Sequence, residues 1–127
     1  MKKLIFSLLL AVLTITTFAQ CRIGDTYSEI FSEFSSRDPG VNFSDNGQLY
    51  LSVELRIGTV LYYFNSNKIC TETVIFPNDD AGVNFYVEQF NKKYVIMSPS
   101  SWRMYSNGSY ADITLVFYEN RYFIVFK

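Results

Sequence analysis

The chain has 127 residues, with eleven basic and twelve acidic side chains and no histidine, and 18% of it is aromatic. Without histidine, every Ser-His, Cys-His and His-metal arrangement is excluded, together with the commonest general base near neutral pH. The near-balanced charge supplies no concentrated positive surface of the kind that nucleic acid requires.

Lys2 and Lys3 precede an apolar run from Leu4 to Val12 that continues through Leu13 and Ile15 to Phe18, with no charge until Arg22. This is the order of a secretory signal peptide. The run is too short and too threonine-rich for a membrane span of about 20 apolar residues. Thr17-Phe18-Ala19 puts small residues where a signal peptidase needs them, so the expected division is a signal peptide over residues 1–19 and a single exported domain over 20–127, periplasmic or extracellular. Losing Lys2 and Lys3 leaves nine basic against twelve acidic side chains, net −3.

Cys21 and Cys70 both survive that cleavage, in a compartment where disulfides persist. A Cys21–Cys70 disulfide is the economical expectation, and closing a loop of about 50 residues is worth roughly 4 kcal/mol in the chain-entropy picture. A lipid anchor on Cys21 and two free thiols are the alternatives. Gln20 stands where lipoprotein signals carry Gly or Ala before the cysteine.

In "GDTYSEIFSEF", Tyr27, Ile30, Phe31 and Phe34 recur at helical spacing, and Thr26 with Glu29 has the form of a capping box. The helix is expected to start at Thr26 and to end after Ser35 or Ser36, ahead of Pro39. From Leu49 the period changes to two, with Leu49, Leu51, Val53 and Leu55 alternating with polar or amphipathic residues. "TVLYYFN" and "ICTETVIF" follow as two more strands, completing a meander. "NDDAGVNFYVEQFNKKY" restores helical spacing through Val83, Tyr86, Val87, Phe90 and Tyr94, with Asp79 or Asp80 as cap. "YVIMS", "SWRMYS", "YADITLVFY" and "RYFIVFK" then read as strands, and Asn107-Gly108 is the strongest hairpin signal in the chain. The expected fold class is α+β: two helices packed on one face of a largely antiparallel sheet, in a tandem α-β-β-β order.

"RIGDTYSEIFSEF" followed by a β-meander resembles the small outer-membrane lipoproteins of the SmpA/OmlA type, on Gly24, Thr26, Glu29 and Ile30. The tandem order resembles the fold of β-lactamase-inhibitor protein, two helix-plus-strands units side by side. These resemblances imply a protein-binding module of the bacterial envelope.

No catalytic constellation, metal site or cofactor motif is expected. Glu54, Glu72 and Asp112 leave carboxylate-only chemistry formally open, and "NDDAG" lacks the spacing of a calcium loop. Ten tyrosines and one tryptophan are too many for one small core, and Tyr and Trp on an exposed sheet face are what interfaces favour. The expected function is a non-catalytic interaction module with an unidentified protein partner, no nucleic acid and no membrane span. The candidate anchors are Trp102, Tyr105, Tyr110 and Tyr63. The alternative is a small carboxylate-dependent hydrolase or a carbohydrate-binding protein, and cross-strand aromatic pairing is the purely structural reading of the same rings.

Overall fold

A computed structural model describes residues 21–106 and 108–127. The expected signal peptide, residues 1–19, and Asn107 of the expected hairpin turn lie outside them. In chain order the elements are α1 (Tyr27–Glu33), a 3-10 turn (Ser35–Arg37), β1 (Gly40–Phe43), β2 (Leu49–Leu55), β3 (Gly58–Phe64) and β4 (Cys70–Pro77). The second series is α2 (Asp80–Lys93), β5 (Val95–Ser98), β6 (Ser101–Ser106), β7 (Ser109–Tyr118) and β8 (Arg121–Phe126).

Both helices begin at side-chain caps. The Thr26 hydroxyl oxygen accepts from the Glu29 N–H at 3.2 Å and the hydroxyl donates to the Glu29 carboxylate at 3.0 Å. Asp79 Oδ1 accepts from the Gly82 N–H at 2.8 Å, while Lys92 and Lys93 occupy the last turn of α2, where cations suit the helix dipole. α1 ends at Glu33, earlier than its apolar spacing predicts, because the chain tightens into the 3-10 turn and Asp38 adopts a left-handed conformation before Pro39.

All eight strands form one antiparallel sheet in the order β1-β2-β3-β4-β8-β7-β6-β5. Each half is therefore a helix followed by a four-stranded meander, and the halves join where β4 pairs β8 through Thr73–Phe126, Val74–Val125 and Ile75–Ile124. The pairing repeats between them: Ser52 opposes Leu61 in the first half as Arg103 opposes Asp112 in the second. The fourth strand of the first half, β1, corrects the expected α-β-β-β order. It is a short edge strand whose residues are mostly exposed, so no burial alternation marks it in the sequence.

The core lies between the helices and one face of the sheet. Ile30 of α1, Phe34 at its C-cap, and Tyr86 and Phe90 of α2 pack on Leu51, Val53, Val60, Tyr62, Ile75, Ile113 and Ile124. Ring contacts fix the docking of both helices, Phe34 on Tyr62 at 5.9 Å and Phe90 on Phe126 at 5.7 Å.

Cys21 and Cys70 are free thiols, which corrects the expected disulfide. The Cys70 thiol instead donates to the Glu72 carbonyl at 3.6 Å and lies 3.8 Å from the Thr73 hydroxyl. The tie between the start of α1 and the sheet is made by the backbone: Gly24 N–H donates to the Cys70 carbonyl and Cys70 N–H to the Asp25 carbonyl, both at 2.8 Å. Arg22 braces the same segment by pairing with Asp25 and Glu33.

Burial pushes the Cys70 thiol up to about 11 from an ordinary value of 9.0, and the Tyr86 phenol up to about 12 from 10.0. Both groups ionise more readily in the unfolded chain, so their contribution to stability is complete below pH 9 and is lost as pH rises through 9 to 12. Burial also pushes the Cys21 thiol up from 9.0, so the urea midpoint is expected to fall from about pH 9 upward, with the earliest part of the fall reduced in Cys70→Ala and absent only when Cys21 is replaced as well. A midpoint flat to pH 11 would show that none of these groups is held neutral by the fold.

Candidate interaction face

Alternation along the strands sends one set of side chains to the helices and the other to the opposite face. An antiparallel sheet with one solvated face ordinarily turns polar residues outward. Here a contiguous run of the outward residues on the four central strands is apolar: Leu61 on β3, Val74 and Phe76 on β4, Phe123 and Val125 on β8, and Val116 on β7. Register makes them neighbours, since Leu61 opposes Val74, Val74 opposes Val125 and Phe123 opposes Val116. The Phe76 and Phe123 rings lie 5.6 Å apart, and the Arg121 guanidinium stands 5.9 Å from the Phe76 ring centre. Val74 is only 8% exposed although both helices pack on the other side.

Aromatic pairs flank this stripe. On one side Tyr50 and Tyr63 oppose each other with ring centres 5.1 Å apart. On the other, Tyr105 and Tyr110 face each other across the β6–β7 hairpin at 6.0 Å. Arg103 organises that corner: its Nε donates to Asp112 Oδ1 at 2.8 Å and its guanidinium sits 4.0 Å from the Tyr110 ring centre. Hydrogen bonds to Asp112 and then to Tyr105 raise the Arg103 pKa further above its ordinary value.

Three of the four expected anchors, Tyr63, Tyr105 and Tyr110, therefore share this face. Tyr105 and Tyr110 adjoin, while the strand of Tyr63 lies three strand spacings, about 14 Å, from that of Tyr110 and four from that of Tyr105. Trp102 does not join them, which corrects its expected exposure. It is 1% exposed on the helix side, 5.2 Å from the Phe90 ring, with Nε1 donating to Asn91 Oδ1 at 2.8 Å. The strand period would have shown this, because Trp102 and Tyr105 are an odd number of residues apart and so point to opposite faces. The apolar stripe was missed by sequence reasoning. Its one local signal is that β3, β4 and β8 are apolar at both parities, the mark of a strand buried on two sides.

The expected carboxylates also reach this face: Glu72 and Asp112 stand in one row on either side of Lys127, two strand spacings or roughly 10 Å apart, while register separates Glu54 from both. Glu54 opposes Thr59 and Glu72 opposes Tyr63, placing them two strands and several residues from each other, on the order of 15 Å and beyond the span of a glycosidase pair. Asp112 is held by Arg103. Among the described residues no group of three or more His, Cys, Asp or Glu could hold a metal ion, and no helix is long and apolar enough to cross a membrane.

No family model, curated protein or solved structure matches this chain. The functional reading rests on the chemistry of the face itself, an apolar centre with aromatic and arginine margins.

Proposed function

We propose that this protein is a non-catalytic interaction module of the periplasm or extracellular space that receives a protein partner on the helix-free face of its sheet. The observation that carries this reading is the stripe of Leu61, Val74, Phe76, Phe123, Val125 and Val116 on the side no helix covers. Protein interfaces combine a desolvated apolar centre with Tyr, Trp and Arg anchors. Tyr63, Arg103, Tyr105 and Tyr110 supply those anchors at its margins. The signal-peptide order of residues 1–19 supports export.

The test is affinity capture from an extracytoplasmic extract, followed by titration of the captured protein against variants. Tyr63→Ala and Tyr110→Ala are each expected to weaken binding by about 2 kcal/mol, roughly thirtyfold, while costing the fold only about 0.2 to 1 kcal/mol through the lost cross-strand ring pair. Glu88→Ala, on the exposed side of α2, is expected to bind as the parent does. Equal affinity in all three variants would remove the face from consideration. Competition by simple sugars would favour the carbohydrate-binding alternative.

A further inference from the structure

On the helix side the two halves differ in helix length: α1 has 7 residues and α2 has 14. The shorter helix leaves the β1 edge uncovered, and an open groove of about 620 Å³ runs beside its first turn. Leu49 and Phe64 line its floor, with Tyr27, Val41 and Phe43 around them. Phe43 is 69% exposed, the most exposed large apolar side chain among the described residues.

Two turns form the rim, and Asn46 and Asn65 present donors there, while Gln48 spends its amide nitrogen on the Phe64 carbonyl at 3.3 Å. Asn46 Oδ1 accepts from the Gln48 N–H at 3.3 Å, and Asn65 Oδ1 accepts from the N–H groups of Asn67 at 2.9 Å and Ile69 at 3.0 Å. With the carbonyl oxygens turned into the backbone, the amide nitrogens are the ends left for a ligand. Lys68 adds a cation, 5.8 Å from the Tyr27 ring centre and with no ion pair among the described residues. No carboxylate lines the groove.

An apolar floor beneath a rim of donors and one cation selects a ligand with an apolar body and an acceptor-only, singly charged end. We infer that this groove binds a single-chain carboxylate amphiphile, its chain on Leu49, Phe64 and Phe43 and its carboxylate at Lys68 and Asn65. The volume falls within the range of small-ligand sites, about 300–1,000 Å³. One unpaired lysine matches a monoanion, whereas clustered phosphate recognition uses arginine forks and several cations.

Calorimetric titration with decanoate, and with decanol as the uncharged counterpart, tests this. Saturable decanoate binding is expected with a Kd of about 1 mM or tighter. Lys68→Gln is expected to weaken decanoate at least about fivefold without changing decanol, and Phe43→Ser to weaken both. Both positions are exposed, so the fold is expected to survive, with the unfolding midpoint as the check. Tyr63→Ala, on the opposite face, is expected to leave decanoate binding unchanged, so failure here and failure of the protein-binding reading are distinguishable. Absence of saturable decanoate binding, or equal affinity in Lys68→Gln, would overturn the inference. So would cosedimentation with phosphatidylglycerol vesicles, or capture of an extended acidic peptide, by a protein that ignores decanoate.

Discussion

Trp102→Ala is expected to cost the fold about 3 to 5 kcal/mol, the range for removing a large buried ring. The indole is 1% exposed and fills the space between β6 and α2, where Phe90 packs on it and also on Phe126. Its loss opens a cavity where α2, through Phe90, bridges β6 to the centre of the sheet. The hydrogen bond to Asn91 is the smaller part of the loss, since Asn91 is exposed and regains water. Chemical denaturation measures the cost, and the parent's emission supplies an independent check: blue-shifted and resistant to quenchers. A red-shifted, readily quenched indole would put the ring at the surface and undo the assignment of faces on β6.

Gly58→Ala is expected to destabilise by about 2 kcal/mol, through crowding rather than a void. Gly58 opposes Pro77 at the start of β3, and an added Cβ would stand 2.6 Å from the Phe76 carbonyl oxygen and 3.1 Å from the Pro77 Cα. Both obstacles are backbone, so no rotamer change relieves them and the two strands must part. Alanine also restricts the unfolded chain, a gain of about 0.4 to 1 kcal/mol that offsets only some of the clash. The urea midpoint reads the difference, and an unchanged midpoint would mean that β3 and β4 separate there at no cost.

Features set by neighbours in sequence were legible. Thr26 with Glu29 and Asp79 with Gly82 are contacts three residues apart, so the caps could be located, and Tyr105 and Tyr110 face each other because the intervening turn is short. Features set by neighbours in space were not. The apolar stripe depends on Val74 meeting Val125, a pairing with no local sign, and without the strand order no outward face can be assembled. The expectation of export argues for a Cys21–Cys70 bond but carries no information on where the sulfurs point, and Cys70 is engaged by Glu72 and Thr73 within its own strand. Trp102 is a different kind of miss, a local parity available in the sequence and outweighed by the expectation that a lone tryptophan marks an interface.

The junction of β4 with β8 has a consequence for the order of assembly. β4 closes the first meander, whereas its other neighbour is the last strand in chain order, so the first half can complete its own local pairings while the centre of the future sheet is still an open edge. That edge offers Val74 and Ile75 together with unpaired backbone groups to whatever strand arrives first, including the same segment of another molecule. The interval between forming β4 and delivering β8 is therefore when this protein is most exposed to pairing with the wrong chain, and crowding of nascent molecules should lower its yield through that one unfinished seam.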